Sequence, residues 1–246
     1  MVPFLQRLAE ALLERHPHDL EDVAVVLPGK RAGLHLRKYL AEAHGGALWS
    51  PDIMDVGNFV QRVSGLQQGN SMELLFQLHR TYVELRGAAA DPLETFLEWA
   101  PTTLRDLSEV DAHLLDLDIL YKDLRAYHEL DEWSFNLGEL SPGQQRTNAE
   151  WRATGELHRL FHERMRATGL ATSGFVARIS AEITSHPIAL PWKKIWFAGL
   201  NALDPATTST IKNLQDQGRA EVAWDTDTHY LADQRQEAGR YLRRSI

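Results

Sequence analysis

Lys30 and Arg31, with His35 and Lys38 further along the same pattern, are the residues whose types and spacing point most directly to chemistry. They follow Pro28-Gly29 in the stretch VAVVLPGKRAGLHLRKYLAEA, Val23 to Ala43. An apolar, mostly β-branched run, a glycine turn carrying a lysine and a helical pattern are the parts of a phosphate-binding loop. The spacing does not complete one. A working loop reads G-x-x-x-x-G-K-[ST], and the hydroxyl after its lysine holds magnesium. Here Arg31 follows Lys30, and the glycine bracket is missing. The run KKIWFAGLNALD places Ala198, Gly199, Leu200 and Asn201 where magnesium-binding acids would stand. Asp225 and Asp227 end the run AEVAWDTD, and without a phosphate loop they read as a solvated strand end. ATP hydrolysis is therefore not expected.

The basic pair still asks for an explanation. Ala32, Leu36, Tyr39, Leu40 and Ala43 make one apolar stripe, which leaves Arg31, His35, Lys38 and Glu42 on the opposite face. Lys30 and Arg31 stand at the start of that helix, where the backbone dipole is already positive. Cations there cost about 0.3–1 kcal/mol each. A bound anion removes the conflict, with Gly29 admitting the ligand to the backbone amides. A solvated basic turn is the alternative reading.

The other chemical constellations are weaker. His158 and His162, four residues apart with Glu163 beside them, could grip one metal ion. There is no H-E-x-x-H, and the Arg- and Glu-rich surroundings predict an exposed helix, so no metal site is expected. A D/E-x-K nuclease strand is absent, because none of Lys30, Lys38, Lys122, Lys193, Lys194 and Lys212 has an acid two residues before it. Pro51-Asp52 supplies the letters PD without a partner strand. Trp99, Trp133, Trp151 and Trp192 read as core or domain-interface residues, with base stacking by one of them left open.

The elements that must position these residues follow from the patterning. The chain has 246 residues, 43% hydrophobic, enough for one large domain or two smaller ones. It has no cysteine, which removes disulfides, thiolate metal sites and a cysteine nucleophile, and makes a reducing cytoplasm the expected location. No apolar run approaches the ~20 residues of a membrane span. The net charge of −8 gives no global attraction to nucleic acid, so any such contact must be local. Phe4 to Arg15 reads as an amphipathic helix and Val23 to Leu27 as a strand buried on both faces. Further strands are expected near Trp49–Met54, at Ile195–Ala198 and at Glu221–Trp224. Asp204-Pro205 and Gly218 bracket a connecting helix. The middle is helical in spacing throughout. The expected organisation is an α/β parallel sheet over 1–70 and 185–246, with an all-helical subdomain over 71–184.

Four segments together resemble the N-terminal region of AddB-type subunits of helicase–nuclease DNA-repair complexes. They are PFLQRLAEALLERH, LEDVAVVLPGKRAGLHLRKYL, KKIWFAGLNALDPATTSTIKNL and AEVAWDTDTHYLADQRQEAGRYLR. They cover the two ends of the chain; the middle matches only in character. The resemblance implies a RecA-like, P-loop NTPase-like sheet with an inserted helical subdomain and a degenerate motor without nucleotide cofactor. VPFLQRLAEALL falls where an active relative carries its phosphate loop. LPGKRAG matches a motif that touches the backbone of single-stranded DNA, so Gly29, Lys30, Arg31, His35 and Lys38 become the implied DNA-backbone residues. The implied partners are single-stranded or unwinding DNA and a helicase–nuclease partner subunit. The family's PD-(D/E)XK nuclease, with its iron–sulfur cluster, is expected beyond Ile246, where the sequence stops inside a helical pattern. Two readings remain: a non-catalytic DNA-binding scaffold module of double-strand-break repair, or a protein-interaction scaffold without DNA binding.

Overall fold

The computed structural model of the chain describes residues 2–122 and 142–226, with side chains from 153 onward in the second stretch. Its principal elements are α1 (Phe4–Arg15), β1 (Val23–Leu27), α2 (Lys30–His44), β2 (Asp52–Asp55), α3 (Val56–Ser64), β3 (Gln67–Gln68), α4 (Ser71–Arg86), α5 (Leu93–Ala112), α6 (Pro142–Thr168), β4 (Leu170–Ala171), α7 (Ser173–Thr184), β5 (Lys194–Ala198), α8 (Pro205–Asp216) and β6 (Ala220–Ala223). The chain divides into two compact units, Met1–Ser64 with Ile179–Ile246, and Gly65–Arg178.

The first unit is α/β. Its sheet has four parallel strands in the order β2-β1-β5-β6. Every residue of β1 is buried, as an apolar run without alternation requires of a central parallel strand. On one face Val23, Val25 and Leu27 join Trp196 and Ala198 of β5, and Leu8, Ala9 and Leu12 of α1 cover them together with Leu36 and Leu40 of α2. On the other face Phe59 of α3 meets Phe197 edge-on at 5.1 Å and tilts against Trp192 at 6.0 Å. Burying a side chain of this size contributes about 1.5–3 kcal/mol. From β1 the chain moves to β2 on one side, and from β5 to β6 on the other. The strand order thus reverses between β1 and β5, and in open α/β sheets ligands bind outside the carboxyl ends of the strands at such a point.

The second unit is mainly helical. A capping box opens α4: the Asn70 side chain accepts from the Glu73 amide at 3.0 Å, and the Glu73 carboxylate accepts from the Asn70 amide at 3.1 Å. Trp99 packs edge to face on both Tyr82 and Phe96, which tilt against each other, and the Tyr82 hydroxyl donates to Asp91 at 2.9 Å. The expectation of an all-helical segment over 71–184 needs correction. Leu170–Ala171 is a strand, paired in parallel with Gln67–Gln68. Two residues are too short to carry a period. The strand expected near Trp49–Met54 begins at Asp52, and Trp49 is 80% exposed.

A candidate anion-binding edge and a buried charge cluster

The turn between β1 and α2 lies at the carboxyl edge of the sheet, at the reversal of strand order. Gly29 is the N-cap residue of α2, and no side chain caps the helix. The first turn holds no acid; it holds Lys30 and Arg31, both exposed. Neither has a hydrogen bond or ion pair among the described residues. Gly29 is extended, with φ −173° and ψ 166°, so no glycine is required by its backbone. A Cβ added there would meet nothing within 4 Å, which leaves the approach to the first amides of α2 open. His35 and Lys38 are exposed on the face of Arg31. Lys38 stands two turns down the helix, about 12 Å along its axis, and pairs with Glu42 at 3.7 Å. The fold therefore brings Gly29, Lys30 and Arg31 to the edge and leaves Lys38 away from it. Gly33, one turn in, lets α2 close on β2: a Cβ there would stand 3.0 Å from an Ile53 methyl carbon.

The neighbouring turns differ. After β2, Asp55 accepts from the Asn58 amide at 2.8 Å and from its side chain at 3.0 Å. After β5, Asp204 caps α8, accepting from the Thr207 amide at 2.7 Å and the Thr207 hydroxyl at 2.8 Å. Gly199, at φ +65°, ends β5 beneath the first residue of α1: a Cβ added there would stand 3.2 Å from the ring of Phe4. Asp225 is exposed; Asp227, Trp133 and the side chain of Trp151 lie outside the described residues.

A second cluster occupies the helical unit, and it overturns the expectation that His158 and His162 are exposed. His158 is 0% and His162 7% exposed. Both point Nε2 at the carboxylate of Asp111, itself 1% exposed, which ends α5. His158 Nε2 lies 3.3 Å from Oδ2, and His162 Nε2 lies 2.9 Å from Oδ1 and 3.0 Å from Oδ2. Arg178 of α7 pairs with Oδ1 at 3.0 Å and donates to the Leu115 carbonyl at 2.5 Å. The Tyr121 hydroxyl meets His158 Nδ1 at 3.1 Å. Burial pushes the Asp111 carboxyl upward, but the hydrogen bonds of His158 and His162 and their charge outweigh it and hold it below its ordinary range. Burial lowers His162 despite its bond to Asp111, and raises the Tyr121 phenol to about 12. Asp111 and Arg178 carry no local motif. One signal was present: Ala100, Leu104, Leu107 and Asp111 form a single buried stripe, which puts an acid at a core position.

No protein-family model and no curated protein matches this chain.

Proposed function

We propose that the turn from β1 into α2 is a nucleic-acid backbone contact in a non-catalytic, helicase-like DNA-binding scaffold module. This is the role implied by the resemblance to AddB-type subunits of double-strand-break repair helicase–nucleases. The reading takes the parallel sheet as RecA-like and assigns phosphodiester cleavage to a part of the protein other than residues 1–246. The observation that carries it is the pair Lys30 and Arg31: two exposed cations at the uncapped start of α2, at the strand-order reversal, without a described partner. A phosphate there would accept the free amides, neutralise the pair and relieve its conflict with the helix dipole. Nucleotide hydrolysis is disfavoured at the same edge. Arg31 replaces the magnesium-binding hydroxyl, β5 ends in Ala198 without a carboxylate, and the ring of Phe4 packs on Gly199 where α1 begins.

The test is anisotropy of labelled single-stranded DNA over a range of salt. Lys30→Glu with Arg31→Glu weakens binding, and two lost phosphate contacts lower the log-affinity against log-salt slope by about 1.4. Equal binding by wild type and variant with one slope would reduce the turn to a solvated loop. A second reading, a protein-contact scaffold, is favoured by Leu34, 66% exposed one turn after Lys30. A wild-type chain that fails to bind DNA at low salt would select it.

A further inference from the structure

We propose that Asp111, His158 and His162 form a binding site for a divalent transition-metal ion of the zinc class. The three side chains offer ligand atoms that all lie within 4.8 Å of one another, and all three are buried. His158 and His162 stand four residues apart on α6, the spacing that sets two imidazoles on one helix face toward a single ion. Asp111 arrives from α5 and completes an N2O set, the donor chemistry of zinc sites with three protein ligands and a fourth position for water or hydroxide.

Distances select the oxygen. Asp111 Oδ2 lies 3.3 Å from one Nε2 and 3.0 Å from the other. Metal–ligand bonds of about 2.0–2.2 Å in a tetrahedron separate neighbouring ligand atoms by about 3.4 Å. Both oxygen–nitrogen edges therefore lie within about half an ångström of that separation. The 3.3 Å contact is long for a hydrogen bond and suits a tetrahedral edge. The surroundings supply the supporting contacts that ligating groups need. Tyr121 meets Nδ1 of His158, so with Nδ1–H donating to the phenol oxygen the Nε2 lone pair faces the ion. Arg178 holds Oδ1 at 3.0 Å and leaves Oδ2 to the metal. Tyr121, which meets His158, also lines a cavity of about 750 Å³ in the helical unit. Without metal, two Nε2–H groups and Arg178 satisfy the same carboxylate, so protons and the ion compete for one place. A hydroxide in the fourth position offsets part of the charge that Arg178 and a divalent ion bring together.

The experiment uses the whole chain, stripped with a chelator and titrated with zinc and with cobalt(II). Expected results are one ion per chain, a rise in melting temperature with one equivalent of zinc, and tetrahedral cobalt absorption that zinc abolishes. His162→Gln should lose all three. Tyr121→Phe should retain the cobalt band and bind about 10–100-fold more weakly. His113→Gln, which alters an exposed imidazole on the same unit, should match wild type. Should His162→Gln fail to fold, the wild-type stoichiometry and cobalt spectrum decide alone. A wild-type chain without tetrahedral cobalt absorption or a melting shift at one equivalent of zinc overturns the site. So does a His162→Gln variant that binds as wild type does; the cluster is then a hydrogen-bonded core network.

Discussion

Lys30 and Arg31 stand at a helix start, exposed and without a partner among the described residues, with the dipole against them. Arg178 stands in a helix interior, 14% exposed, and holds the carboxylate of Asp111 and a backbone carbonyl. The difference separates two uses of positive charge. Arg178 ties the end of α5 to α7, and a buried ion pair of this kind is costly to break from one side. The pair at the sheet edge contributes little to the fold, so its removal should be felt in what binds there.

The sharpest way to break this contrast is Asp111→Ala, studied with chelator present. It leaves Arg178 without its ion pair in the interior, and a loss of about 3–5 kcal/mol in urea unfolding is expected. A loss below 1 kcal/mol would make the cluster as dispensable as the edge. Acid acts on the same residues. Asp111 and His162 both bind protons less readily in the folded chain than in the unfolded one. The unfolded chain therefore takes up the protons first. In the metal-free protein the urea midpoint should be highest above the ordinary imidazole value of 6.5 and fall as the pH drops below it. It should fall again below the ordinary carboxyl value of 3.8. His162→Gln should flatten the first decline, and an unchanged profile would remove His162 from the account.

A smaller loss is expected from Asp204→Ala, which removes the cap of α8: about 1 kcal/mol, read as a lower melting temperature with DNA binding unaltered. Lys30→Glu with Arg31→Glu should move stability by no more than about 0.5 kcal/mol, with the sign set by the dipole toward a slight gain. A loss above 2 kcal/mol would show that the pair serves the fold. The smallest effect belongs to Gly29→Asp. It supplies the missing cap and should stabilise by a few tenths of a kcal/mol, while its carboxylate repels a phosphate and weakens single-strand binding. Gain in stability with loss of binding, in one variant, sharpens the contrast most.

The parts legible in the sequence are those whose signals are local. Val23–Leu27 announced a doubly buried strand, the stripe through Leu36 and Leu40 announced the buried face of α2, and Asp204-Pro205 marked the start of α8 within a residue. The basic face was legible for the same reason, although only its first residues reach the sheet edge. The buried cluster was not. His158 and His162 sit among Arg and Glu, and local composition outweighed the apolar residues Leu157, Phe161 and Met165 that share their helix and are buried with them. Their partner Asp111 lies 47 and 51 residues earlier. Such a pairing becomes visible only when tertiary packing closes it. The β3–β4 pair was missed because two residues carry no period.

The pairing of β1 with β5 has a consequence for synthesis. Val23 and Lys194 are partners, yet the whole of the second unit is encoded between them. At about 5–20 residues per second, translation separates the two strands by about ten to thirty seconds. During that interval β1 has only β2 as a neighbour, and its other edge waits. Gly65–Arg178 therefore leaves the ribosome complete before the sheet that flanks it in sequence can close. A nascent chain stalled before Lys194 exposes an unpaired, wholly apolar strand edge, the surface that chaperones recognise and that aggregation exploits.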